Sequence, residues 1–265
     1  MVGIAYTDHI RRESGRVAEV LAAADLAATV PTCPDWTVGD LLWHLVEVQW
    51  FWGTIARERL DDPQRAEASK PARPGTGAEL LRLFAQATER LVEGLSQGGD
   101  DTPVWTWSRT RNLGFVRRRQ AHEVLVHRLD AELAAGAEVS AMDPQLSADG
   151  VDEMLRVMWG GMPDWMTRGE DLDGELVLAT TDTGHRWRLS FVRVTGTSPT
   201  SGTSYDEPAV VVSDGGTGGE PAASVRASAA VVDRWLWGRG DTGVDRAGDP
   251  TVLARLDELI AEGIT

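Results

Sequence analysis

The chain has 265 residues and a formal net charge of −15, from 26 Lys and Arg against 41 Asp and Glu. With 42% hydrophobic and 25% charged residues it has the make-up of a globular protein of one large or two modest domains, which excludes a disordered chain. The acidic balance argues against the basic face that phosphate backbones require, so no nucleic-acid partner is expected.

No apolar run reaches the roughly 18–20 residues of a membrane span. Residues 1–12 lack the basic start and apolar core of a secretory signal. Cys33 is the only cysteine, so no internal disulfide can form, and a cytoplasmic protein without membrane contact is expected. Trp is frequent, 11 against 4 Phe and 2 Tyr, and that fits a Trp-rich core.

Apolar residues recur at helical spacing over 8–28 (Ile10, Val17, Leu21), and Pro31 and Pro34 then break the pattern. Thr37 followed by Asp40 predicts a capping box opening a second helix that runs to about residue 60. After a polar loop at 61–77, a third helix is expected over 78–96, a fourth over 113–136 closing at Gly136, and a fifth over 147–167. These four or more antiparallel helices predict a helical bundle, with residues 1–168 as the first domain. Beyond Gly169 the pattern changes. Strands are expected at 175–180 and 186–194 around the turn Asp182-Thr183-Gly184, and at 209–212 between Gly/Ser/Thr/Pro-rich loops at 195–207 and 213–221. Helices at 224–238 and 250–261 complete a small α+β domain, residues 169–265. The fold class is thus α plus mixed α/β.

The fourth helix carries the chemistry. At about 100° per residue, Glu123, His127 and Asp130 fall on one stripe within about 60°. Glu and His at i and i+4 can converge on one metal ion. His122 and His127 are five apart where H-E-x-x-H needs four, so they form no zincin motif, and His122 points about 100° away from Glu123. A metal needs a third ligand, and His44 stands at the edge of the apolar side of the second helix. The competing reading is a solvated face laced with i,i+4 polar pairs and a structural histidine. His9 and His185 read as surface residues, and Cys33 as structural. Trp43, Trp50 and Trp52 read as core, and Arg117 and Arg118 as solvent-facing, with Arg119 near the stripe.

The segment Cys33-Pro34-Asp35-Trp36-Thr37-Val38-Gly39-Asp40-Leu41-Leu42-Trp43-His44-Leu45 resembles the opening signature of the mycothiol-dependent maleylpyruvate isomerases, within the wider DinB-like metal-binding bundles, which implies an up-down four-helix bundle for the first domain. Arg119, Glu123, His127 and Asp130, spaced R-x-x-x-E-x-x-x-H-x-x-D, resemble the second signature. Residues 227–239 and Gly248-Asp249-Pro250 are similar to the family's small C-terminal domain. The resemblance implies zinc, or another divalent metal, on His44, Glu123 and His127, with Asp130 beside it. It implies Arg239, with Arg234 as fallback, as the arginine that meets substrate, and mycothiol as thiol cosubstrate. The reaction it implies is addition of an activated thiolate to an electrophilic small molecule, ending in isomerisation or S-transfer. A conjugated substrate would take the sulfur, rotate about the new single bond and release the thiol again. Other readings of the same residues are a non-catalytic metal sensor or sequestering protein, a zinc hydrolase, and a purely structural protein. A monomer or homodimer is expected. The Ala, Gly and Arg usage fits the GC-rich, actinobacterial background in which mycothiol occurs.

Overall fold

The computed structural model describes residues 3–199, 201–213 and 219–263. The chain forms two compact units, residues 1–141 and 142–265. Among the described residues no helix is long and apolar enough to cross a membrane.

The first unit holds α1 (Tyr6–Leu21), β1 (Thr29–Val30), β2 (Cys33–Thr37), α2 (Val38–Glu58), the short α3 (Gln64–Ala68), α4 (Gly77–Ser96) and α5 (Leu113–Ala134). α2 packs on α4 and α5, and α1 on α4 and α5. Ile10, Leu45, Ile55, Phe84, Leu91 and Leu125 are among its buried core. Glycine lets α2 and α4 approach closely: a Cβ on Gly53 would stand 3.0 Å from the Leu91 backbone nitrogen, and one on Gly94 2.9 Å from that of Arg57. α5 ends as expected, with Gly136 left-handed at φ 63°, and Gly136 and Ala137 donating their N–H groups to the carbonyls of Leu133 and Glu132.

The first helix stops at Leu21 instead of running to residue 28. The carbonyls of Leu26 and Ala28 accept from Gly39 and Val38, so the Ala-rich tail is tied to the start of α2. Residues around Pro31 and Pro34, expected only as a break, pair as the antiparallel strands β1 and β2. The predicted loop at 61–77 also contains α3.

The capping box of α2 is present. Asp40 N–H donates to Thr37 Oγ1 at 3.1 Å, and Thr37 N–H donates back to Asp40 Oδ2 at 3.0 Å. Hydrogen bonds from Thr37 Oγ1, Arg73 and the Thr37 backbone push the Asp40 carboxyl down to about 2, from an ordinary 3.8. A depressed carboxyl stabilises the fold above its unfolded pKa and loses that contribution as pH falls. Thr37→Ala should therefore cost about 1 kcal/mol in urea melts at neutral pH. The difference should shrink between about pH 4 and pH 2 as Asp40 protonates, and a gap independent of pH would contradict this account.

A buried ionic cluster joins α1 to α5. Arg128 Nε donates to Glu13 Oε2 at 2.9 Å and Arg128 Nη1 to Glu132 Oε2 at 2.5 Å. Arg16 and Ser140 both donate to Glu132 Oε1.

The second unit opens with α6 (Pro144–Glu153), capped by Asp143, and continues through a π-helical turn, Met154–Met158. A five-stranded sheet follows in the order β5-β4-β3-β6-β7: β3 (Met166–Thr180), β4 (Arg186–Thr197), β5 (Ser204–Ser213), β6 (Ala223–Ala227) and β7 (Asp245–Gly248). β3 and β4 form the expected antiparallel hairpin, and β6 runs parallel to β3. α7 (Ala229–Leu236) and α8 (Pro250–Glu262) complete the unit.

The boundary expected between 168 and 169 is corrected to between 141 and 142. The reason is packing: Ala148, Val151, Met154 and Leu155 join Leu176, Leu189, Phe191, Val232 and Trp235 in one core. The fifth helix thus belongs to the sheet, and its expected tail near residue 167 is the start of β3. β4 and β5 take over much of the predicted loop at 195–207, while residues 214–218 of the next predicted loop lie outside the described residues. Residues 224–227, expected to begin a helix, lie in β6 instead, and α7 starts only at Ala229.

Candidate metal centre

The capping box fixes where α2 begins and so where His44 stands, two turns into it. α5 supplies Glu123 and His127 from adjacent turns. Glu123 Oε1 lies 3.0 Å from His44 Nε2 and 3.4 Å from His127 Nε2. One donor atom from each of the three residues lies within 4.8 Å of the other two. Bonds of about 2.0–2.2 Å in a tetrahedral zinc site would set ligand atoms about 3.4 Å apart, so this donor set fits a divalent metal of the zinc type.

The surrounding groups divide the work. Arg119 Nη2 donates to Glu123 Oε2 at 3.0 Å, leaving Oε1 for the histidines. Asp130, fully buried, accepts from His127 Nδ1 at 2.9 Å, which leaves Nε2 on the Glu123 side. Thr32 Oγ1 donates to Asp130 Oδ1 at 2.5 Å, and Cys33 Sγ lies 3.9 Å from Asp130 Oδ2. Burial alone would raise the Glu123 carboxyl. Hydrogen bonds from His127 and His44, with the charges of His127 and Arg119, hold it well below its ordinary value of 4.5 instead. Burial opposes charge on His127 as well, yet hydrogen bonds to Asp130 and Glu123 push it up to about 9.

The structure thus brings together His44, Glu123, His127 and Asp130, with Arg119 beside them. The solvated-face reading of α5 does not hold, because Arg119, Gln120, Arg128, Asp130 and Glu132 are all buried. Arg239 lies in the second unit, just past α7, between the left-handed Gly238 and Gly240, with Nη1 donating to the Trp237 carbonyl at 2.5 Å. Arg234 lies in the last turn of α7. Arg117, expected in solvent, pairs with Asp100 and donates to the carbonyls of Leu95 and Gly98 behind α4. Trp52 is buried, while Trp43 and Trp50 are only half-buried. His122 is buried with its ring edge on Tyr6.

Sequence reasoning missed Thr32 and Trp36. The Trp36 ring centroid lies 4.8 Å from that of His44 and 6.0 Å from that of His127. A signal for Trp36 existed: it stands immediately before the N-cap, where an apolar residue usually packs onto the first turns of the helix.

Two helices presenting two imidazoles and a carboxylate, in a helical unit followed by an α+β unit, define a helical protein with a His/His/Glu triad able to hold a metal. Residues 7–132 match the family model of the mycothiol maleylpyruvate isomerase N-terminal domain. The match spans most of the helical unit, so that unit is similar to the family's N-terminal domain. Its fold is similar to the crystal structure of the mycothiol-dependent maleylpyruvate isomerase, at 16% identity and a TM-score of 0.58 over 92% of each chain. It is equally similar to a histidine-to-alanine mutant of that enzyme, at 15% identity and a TM-score of 0.60 over 92% of each chain. No curated protein matches the chain in sequence.

Proposed function

We propose that this chain is a metal-dependent cytoplasmic enzyme that uses mycothiol, or a similar low-molecular-weight thiol, against an electrophilic small molecule, by isomerisation or S-transfer. One observation carries the reading: His44, Glu123 and His127 turn their donor atoms toward one another, with Asp130 behind His127. These three residues would hold zinc, in the up-down bundle that the helix order suggests. A divalent cation there favours the thiolate form of a thiol near neutral pH. Asp130 is fully buried and already accepts from His127 and Thr32, so its role is to orient His127 rather than to collect the thiol proton. Arg119 holds the second carboxylate oxygen, so Glu123 offers one oxygen to the site. Arg239 is assigned to a substrate carboxylate, on the strength of the resemblance alone.

The test is metal content of the purified chain beside His127→Ala, with thiol-dependent turnover of maleylpyruvate on the same samples. About one divalent metal per chain, lost in the variant, with turnover only when thiol is added, is the expected result. Metal without thiol-dependent turnover would favour a sensor or sequestering protein, and turnover without thiol a hydrolase. No metal in either protein would overturn the reading.

A further inference from the structure

The two histidines of the triad are held differently. His127 has its ring plane fixed by the hydrogen bond from Nδ1 to the buried Asp130. His44 has no such holder: among the described residues its hydrogen bond is to Glu123, itself part of the triad, through Nε2. The second torsion of a histidine is soft and roughly two-fold, so a ring without an outer hydrogen bond can turn unless packing stops it. Histidines that bind metals usually receive this restraint from a carboxylate or carbonyl on the second nitrogen.

Trp36 occupies the place where packing can stop the turn. Its centroid is 4.8 Å from the His44 ring with planes inclined by 46°, within the range of aromatic contact. The same indole stacks on His127 at 6.0 Å and 27°. The strand that carries it, β2, is anchored at its other end against α5, where Thr32 and Cys33 meet Asp130. The indole is therefore not on a free loop but on a short strand tied at both ends, one by Asp130 and one by the capping box at Thr37.

We infer that Trp36 is a positioning residue: its indole sets the plane of the His44 imidazole, supplying by packing the restraint that Asp130 supplies to His127 by hydrogen bonding. The consequence for zinc affinity rests on the metal-site reading above; the ordering of the ring does not.

The experiment compares wild type, Trp36→Phe, Trp36→Leu and Trp36→Ala, each checked for its fold by far-UV circular dichroism. Ring order of His44 and His127 is read from side-chain NMR relaxation without metal, and zinc affinity from competition with a chromophoric chelator. Trp36→Ala should loosen the His44 ring while leaving that of His127 ordered, and should weaken zinc binding about 10-fold or more. Trp36→Phe should stay within about threefold of wild type, since a flat ring is retained. Trp36→Leu, which fills space without a flat face, should fall between them and serves if the alanine variant does not fold. A His44 ring as ordered in the alanine or leucine variant as in wild type would overturn the inference. A wild type that binds no zinc would overturn the metal reading, and the relaxation data would still decide the role of Trp36.

Discussion

In a Glu123→Gln variant, zinc should no longer raise the melting temperature. At zinc about one hundred times above its dissociation constant, binding adds about 2.7 kcal/mol to the wild-type folded state. For a unit of this size that corresponds to about 5–10 °C in differential scanning calorimetry. Glutamine keeps the shape of the side chain but replaces an anionic oxygen by a neutral carbonyl. It also removes the charge that Arg119 and both histidines face. The helices should persist by circular dichroism, because the core of α5 is supplied by Val124, Leu125 and Leu129, not by Glu123. A variant that still shows the full zinc shift would remove Glu123 from the ligand set.

Arg128→Met should destabilise the first unit by about 3–5 kcal/mol, read from urea denaturation. Arg128 and Glu132 are fully buried and Glu13 is 7% exposed, so removing the guanidinium leaves two carboxylates inside the protein, Glu132 with Arg16 and Ser140 and Glu13 with only the exposed Arg12. Replacing Glu13, Arg128 and Glu132 together by Leu, Met and Met should restore most of the loss, since an all-apolar replacement removes both the attraction and the desolvation cost. Burial raises the Glu132 carboxyl, but hydrogen bonds from Arg16, Ser140 and Arg128 bring it below its ordinary 4.5. The cluster thus contributes above about pH 4.5 and weakens as pH falls, and the gap between wild type and the triple variant should move with it. A single variant as stable as wild type would mean that water reaches the cluster.

The sequence carried the centre of the site because its geometry is local. Glu123 and His127 are one turn apart, Asp130 nearly one turn further, and the Thr37/Asp40 box marks where α2 begins. What was not legible depends on tertiary neighbours. Arg128 and Glu132 look like a solvated i,i+4 pair, and only the approach of α1 with Glu13 and Arg16 buries them. α6 shows an apolar face, but nothing local says whether it covers a bundle or a sheet. β6 reads Ala-Ser-Val-Arg-Ala and β7 Asp-Arg-Ala-Gly, too short and too poor in branched side chains to announce strands. Trp36 and Thr32 reach the site through a strand pairing that two prolines disguise as a simple break.

The cluster between α1 and α5 also bears on how the first unit opens. Glu13 and Arg128 are 115 positions apart in the chain, yet parting them leaves the carboxylate with only the exposed Arg12 and the guanidinium with only Glu132 and the Ser140 carbonyl. Local fraying of α5 near its C-terminal half, where His127 and Asp130 stand, is therefore coupled to release of α1. Amide hydrogens in the middle of both helices should exchange with one common free energy, as a single cooperative unit. The helix that supplies Glu123 and His127 is guarded by a partner at the far end of the domain's sequence, and these two keep their places beside His44 for as long as that partner stays docked.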